Sequence, residues 1–309
     1  MIAFDTSTFS LPLPPGHPFP VGKYSALRQA LHEAGCGSLL AEAPRAPRVA
    51  VEKVHDPGYV DRVLSGRLTP EEQRCLGLPP CRELTERALR TCGATLAAAR
   101  TALRHGVAVA LGGGGHHADR HGGRGFCVFN DVAVAAADAR AHGVRRVLVV
   151  DCDVHQGDGT ALLFAGDDGV YTLDMYARGN RMRSFARSRW EVVLEDGVGD
   201  GEYLAALQAV LPAILNAVRP QLVLYVAGAD PLAGDRFGRL RLTEWGLRAR
   251  DEFVLGEVCG RGVPVAVTLG GGYGRPVEHT VRVHRNTVLA AVRQAGKLGQ
   301  VLGAEVGGG

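Results

Sequence analysis

The chain has 309 residues, 46% of them hydrophobic and 22% charged, with a formal net charge of +3. That composition is globular and excludes disordered, collagen-like and coiled-coil chains, and the length suffices for one large core. A balance this near to neutral is weak evidence for any polyanion partner, so no nucleic-acid partner is expected. All but three of the 35 basic residues are arginine, the lysines being Lys23, Lys53 and Lys297. The seven cysteines include no C-x-x-C pair, no leader segment is recognised, and no apolar run is read as long enough to cross a membrane. The expected setting is therefore the reducing cytoplasm.

Along the chain, residues 1–20 carry five of the sixteen prolines and read as an irregular arm. Short apolar runs follow: VAVALGG (107–113), RRVLVVD (145–151), GVYTLDM (169–175), QLVLYVAG (221–228) and VPVAVTLGG (263–271). They are β-branched and continuous rather than alternating, which suits strands buried on both faces. Helical patterns are placed at 83–104, 130–142, 202–218, 243–260 and 276–292, with Thr243 as an N-cap and Gly143 as a stop. The alternation predicts a single α/β domain over 21–294, a doubly wound parallel sheet flanked by helices. Residues 295–309, ending in three glycines, read as a frayed tail.

Four of these runs deliver polar residues at their carboxyl ends. VAVALGGGG leads to His116 and His117, VLVV to Asp151, Asp153 and His155, LVLYVAGA to Asp230, and VAVTLGGG to Tyr273. Ligand sites in open parallel sheets form at that edge. Asp153 and His155 stand two apart and can grip one cation, with Asp230 as a third ligand and a fourth position left open, as in catalytic zinc sites. The alternative for D-x-D-x-H alone is an ordinary solvated turn. Asp151 and Asp158 remain as carboxylate partners for imidazoles. The glycine run before His116 lacks the Lys-Ser/Thr of a phosphate loop, so nucleotide binding is set aside. A histidine pair beside a metal cluster can serve as base and acid, and the Tyr273 phenol can donate to a developing oxyanion. Together the parts describe metal-assisted amide hydrolysis without a covalent intermediate.

These blocks resemble the zinc-dependent histone deacetylase and acetylpolyamine amidohydrolase superfamily, and look most similar to class IV deacetylases and their bacterial relatives. The matching stretches are HPFPVGKY (17–24), VHDPGYV (54–60), GGGGHHA (112–118), GRGFCVFND (123–131), VVDCDVHQGDGT (149–160), AGADPLAGDRFG (227–238) and LGGGY (269–273). The resemblance implies an arginase/deacetylase-like fold and an active deacylase. It implies zinc on Asp153, His155 and Asp230, with iron as an alternative in the cell. It pairs Asp151 with His116 and Asp158 with His117, and gives Tyr273 the carbonyl. It also implies a potassium ion near Asp151, Asp153, His155, Asp174 and Met175, and a tunnel wall at Gly125 and Phe126, with Gly271 and Gly272 counted as substrate-binding. Cys127 is then a packed thiol.

One segment departs from the pattern. After YTLDMY the chain reads ARGNRMRSFARSRW, which places Arg178, Arg181, Arg183, Arg187 and Arg189 close together. It reads either as a solvated loop or as a rim attracting an acidic substrate. The expected substrate is an acyl-lysine peptide or protein, with an acylated polyamine or other small amide as the alternative. The ureohydrolases, which need D-x-H-x-D, and a non-catalytic binding module rank behind. Sequence leaves acyl length and oligomeric state open.

Overall fold

The computed structural model describes residues 1–182 and 186–306, with side chains described through Lys297. In chain order the elements are β1 (Ala3–Asp5), α1 (Lys23–Glu33), β2 (Leu40–Glu42), α2 (Arg48–Val51), α3 (Pro57–Leu64), α4 (Pro70–Leu76), α5 (Arg82–His105), β3 (Val107–Ala110), α6 (Asp131–Ala141), β4 (Val147–Asp151), α7 (Asp158–Leu163), β5 (Val170–Ala177), β6 (Trp190–Leu194), α8 (Asp200–Val218), β7 (Leu222–Val226), α9 (Glu244–Cys259), β8 (Val265–Thr268) and α10 (Glu278–Val306). The eight strands form one parallel sheet in the order β2-β1-β3-β8-β7-β4-β5-β6.

The continuous apolar strands are explained by two buried faces. Val107 and Val109 of β3, Leu148 and Val150 of β4, and Val265 and Val267 of β8 join a core with α1, α8, α9 and α10. Their alternates, Ala108, Ala110, Val147, Val149 and Ala266, point to the other face and meet α5 and α6. There the sheet and the helices are both alanine-rich (Ala94, Ala98, Ala102, Ala135, Ala136), so those helices lie close to the sheet. Each fully buried Val or Leu contributes on the order of 2 kcal/mol of transfer free energy. A third cluster gathers Leu11, Phe19, Tyr24, Tyr59, Leu76 and Phe129, packing residues 11–24 and the short helices against α5.

Three expectations need correction. Residues 1–20 are not wholly irregular: Ala3–Asp5 is an inner strand between β2 and β3, too short for a visible pattern. The last helix does not stop near 292 but continues as α10 to Val306, through much of the expected tail. Finally, α8 is long and apolar enough, by length and composition alone, to cross a membrane. In the fold it is a core helix that turns Tyr203, Leu207, Leu211 and Leu215 into the sheet.

Candidate metal centre and active site

The polar residues gather where the central strands end. In register, Asp151 of β4 stands beside Val226 of β7 and Asp174 of β5, so the loops beyond them leave the sheet at one level. The turn after β4 is tied by its own carboxylates. Asp151 Oδ1 accepts from the Asp153 amide at 3.1 Å, and Asp153 Oδ1 from the His155 amide at 2.9 Å. Asp230 Oδ1, arriving from β7, accepts from the Val154 amide at 3.0 Å. One donor atom from each of Asp153, His155 and Asp230 lies within 4.8 Å of the others. His155 Nδ1 stands 3.0 Å from Asp153 Oδ1 and 3.3 Å from Asp230 Oδ2. Donors sharing a tetrahedral ion at about 2.0 Å are separated by roughly 3.3 Å, so the set fits one small cation.

The electrostatics fit the same group. Asp230 Oδ2 is buried with no hydrogen-bond partner among the described residues. Burial, then the Asp153 charge, raises the Asp230 carboxyl to about 6. Burial opposes a charge on Asp153, but His116 and His155 hold its carboxyl far below the usual range. Burial opposes the His155 imidazolium, yet the two carboxylates raise it to about 10. The cluster thus draws positive charge to its centre. A divalent cation supplies more of it than a proton on His155 would.

The histidine pair follows Gly112–Gly115 at the end of β3. His116 Nδ1 meets Asp151 Oδ2 at 2.7 Å, and His117 Nδ1 meets Asp158 Oδ1 at 3.0 Å, with ring centroids 4.2 Å apart. Their environments differ. Burial disfavours the His116 imidazolium, but Asp151 and Asp153 outweigh it and hold its pKa well above the ordinary value. Burial and then the charge of His116 pull His117 down to about 4. Asp131, at the start of α6, braces the glycine run. Its carboxylate accepts from the Gly114 and Gly115 amides at 3.2 and 2.6 Å and from Thr95 Oγ1 at 2.5 Å.

Tyr273 follows β8 on the same edge. Asp235 Oδ2 accepts from its amide at 2.6 Å, and its ring packs against Phe126 and Phe237 at 5.7 and 5.1 Å. Burial, then the Asp153 and Asp230 carboxylates, push the phenol well above its ordinary value, so it remains a donor. Gly271 has φ +54°, and a Cβ there would overlap the Asp230 carboxylate. Gly272 adjoins Thr280 and Ala229. Phe126 itself adopts φ +69°, which is uncommon outside glycine and aims its ring between Phe19 and Tyr273. Gly125 before it lies against the His117 ring.

His116, His117, Asp153, His155, Gly125, Phe126, Gly271 and Tyr273 line one cavity of about 460 Å³. Cys127 lines it too, its thiol pushed up to about 11 by burial. Asp151 and Asp158 stand behind the imidazoles. Asp174 and Met175 lie beneath, fully buried. Asp174 Oδ2 accepts from the Gly157 amide at 2.9 Å, while Oδ1 has no hydrogen-bond partner among the described residues.

Sequence reasoning missed three residues here. Lys23, almost wholly buried, donates to the Gly271 and Gly272 carbonyls just before Tyr273. Arg124 reaches the His117 carbonyl at 2.9 Å and Asp158 Oδ2 at 3.0 Å. Asp131 is the third. Each acts across at least five residues of sequence, and only its presence in a matched block could have flagged it. Of the arginine-rich segment, Arg178 pairs with Glu195 at 2.7 Å and Arg187 with Glu191 at 2.9 Å, while Arg189 lies over Tyr171. Arg181 is exposed, and Arg183 lies outside the described residues.

Comparison with known proteins bears on the family and the fold. The histone deacetylase domain model matches residues 17–288. An uncharacterised protein of Picosynechococcus is 40% identical over 276 residues, 88% of this chain and 92% of that one. Histone deacetylase 2 of Arabidopsis thaliana is 30% identical over 294 residues, covering 90% and 74%. Polyamine deacetylase HDAC10 of Homo sapiens is 36% identical over 149 residues, 42% of this chain but 22% of that protein. Among solved structures, the HDA15 HD domain superposes with a TM-score of 0.78 at 26% identity, covering 96% of this chain and 92% of that one.

Proposed function

The chain belongs to the histone deacetylase family, and on that premise we propose that it is a zinc-dependent amidohydrolase that removes the acyl group from N-acyl-lysine side chains of a protein or peptide. One observation carries the reading: Asp153 and His155, whose donors gather with that of Asp230, line the same cavity as His116 and His117, and each of those two imidazoles is held through Nδ1 by a buried carboxylate. Zn²⁺ on those donors, or Fe²⁺, would polarise the amide carbonyl and acidify a water.

The chain's own residues divide the remaining work. His117, neutral at pH 7 and held through Nδ1 by Asp158, presents Nε2 as a proton acceptor. His116, kept charged by Asp151, stabilises developing negative charge and holds a proton for the leaving amine. Tyr273, held neutral, donates to the carbonyl oxygen as it gains charge. Phe126 and Phe237 wall the passage for the alkyl chain of the acyl-lysine. A potassium ion beneath the site is part of the reading. The buried Asp174 Oδ1, without a hydrogen-bond partner among the described residues, supports it; Asp151, Asp153, His155 and Met175 would supply the other oxygens. Seven free cysteines suit a cytoplasmic setting.

An acylated polyamine is the competing substrate. The cavity lining disfavours a polycation, because Lys23, Arg87 and Arg239 line it and Asp153 is its single carboxylate among the described residues. The test is hydrolysis by zinc-loaded protein of acetyl-, long-chain-acyl- and carboxyacyl-lysine peptides and of acetylpolyamines. Turnover of an acyl-lysine peptide should fall at least a hundredfold in Tyr273→Phe, the scale of a lost oxyanion donor. Turnover of acetylpolyamines alone would overturn the substrate, and turnover insensitive to Tyr273→Phe would overturn the mechanism.

A further inference from the structure

Behind the site, on the side away from the cavity, lies a buried charge that the proposed mechanism does not use. Arg250 of α9 is fully buried. Its Nη1 donates to two backbone carbonyls at once, Cys152 at 3.0 Å and Gly228 at 2.7 Å. Cys152 immediately precedes Asp153, and Gly228 stands two residues before Asp230. The guanidinium therefore bridges the two strand ends that carry the candidate carboxylate ligands. It is itself aimed by Asp251, whose Oδ1 accepts from Arg250 Nε at 2.9 Å and from the Tyr225 hydroxyl at 2.6 Å. Asp251 Oδ2 accepts from Thr287 Oγ1 of α10 at 2.5 Å. Three elements thus fix the orientation of one side chain: α9, β7 and α10.

A lone ion pair that only joined a helix to the sheet would need no contact with the ligand loops. Burying a guanidinium is expensive, and an apolar side chain of similar size packs a helix against a sheet as well or better. The fork of donors is what an apolar residue cannot supply. Carbonyls beyond a strand end have no neighbouring strand to pair with and must find a donor elsewhere. Here one donor group serves both, which fixes the spacing of the two loops.

We propose that Arg250 is a positioning residue for the metal centre, setting the separation of Asp153 and Asp230 by clamping the Cys152 and Gly228 carbonyls. This rests on the reading of Asp153, His155 and Asp230 as metal ligands. Loss of the clamp loosens the donor set, and outer partners of metal ligands are typically worth ten- to a hundredfold in affinity.

The test uses the full chain loaded with Co²⁺, whose visible absorption reports ligand geometry, and follows its release to a chelator. Arg250→Met should release Co²⁺ about ten- to a hundredfold faster and alter the absorption bands. Arg250→Lys, which keeps the charge but loses the fork, should fall between it and the parent. Thr287→Val perturbs the same network without touching the carbonyls, so it should lower the melting temperature yet leave the spectrum and release rate near parental. If Arg250→Met does not fold, the Arg250→Lys and Thr287→Val pair carries the comparison. Parental release and spectra in the Arg250 variants would overturn the clamp and leave the metal reading intact. If the parent protein itself takes up no Co²⁺, or Asp230→Asn takes it up equally well, the metal reading fails and the clamp with it.

Discussion

A methyl group at position 271 would collide with the Asp230 carboxylate, and the backbone there has a φ of +54°. Two separate penalties follow. The left-handed conformation costs a non-glycine residue about 1–2 kcal/mol. The collision moves a candidate metal ligand, which the first penalty does not. Gly271→Ala should therefore lower stability by that modest amount while stripping the metal almost completely. Unfolding in urea and metal content after dialysis separate the two effects. Near-stoichiometric zinc in a folded Gly271→Ala protein would show that Asp230 is not held by this contact. Phe126 is the opposite case: a bulky residue accepts φ +69° because aromatic rings on several sides fix its place.

At the scale of elements, the loops are held by buried side chains distant in sequence. His55, just before α3, donates from Nδ1 to the Asp119 carbonyl at 2.7 Å and accepts at Nε2 from the Asn130 amide at 2.9 Å. Asn130 in turn caps α6 and binds the Ala118 carbonyl and Thr160 of α7. This network needs a neutral imidazole, and burial, aided by Arg120, pulls His55 down to about 4. The unfolded chain takes up the proton near the ordinary value of about 6.5, before the folded chain does. The stabilisation is therefore complete above about pH 6.5 and is lost as the pH falls toward 4, on the order of 3 kcal/mol in all. Equilibrium unfolding of the parent and of His55→Gln at neutral and acidic pH checks this. The advantage of the parent should shrink on acidification, and an advantage independent of pH would refute it. The same contrast explains what the sequence disclosed. The five central strands and five long helices were legible because burial on two faces writes continuous β-branched runs and 3.6-residue periods. His116, Asp153, Asp230 and Tyr273 were legible because polar residues abruptly end apolar runs. β1 and β2 are three residues long and leave no period. Lys23, Arg124, Asp131 and His55 act through contacts across the fold that no local pattern encodes.

For the molecule as a whole, the question is what its charge does at the mouth of the cavity. A net charge of +3 says little, but its placement says more. Arg178 and Arg187 are neutralised by Glu195 and Glu191, so the arginine-rich segment is only partly available. Arg181 is exposed, and Arg236 is exposed over the Phe237 ring. Arg239 lines the mouth and meets Asp196 only at 3.5 Å. Asn180 stitches the two loops together, donating to the Phe237 carbonyl and accepting from the Arg239 amide, so these cations sit on one rim. Exposed charges are each worth about 1 kcal/mol or less and are screened by salt. The double change Arg181→Gln and Arg239→Gln should accordingly lower kcat/KM for acyl-lysine peptides with acidic flanks by roughly tenfold at low salt. Peptides with neutral flanks should lose little, and the difference should fade as salt is raised. The arginine side chains do not hold the stitching contacts, which are made by Asn180 with backbone groups, so the fold of the rim should survive. Equal losses on acidic and neutral peptides, or a preference unmoved by salt, would mean that the rim arginines are solvated surface and that selectivity lies deeper in the cavity, with Lys23 and Arg87.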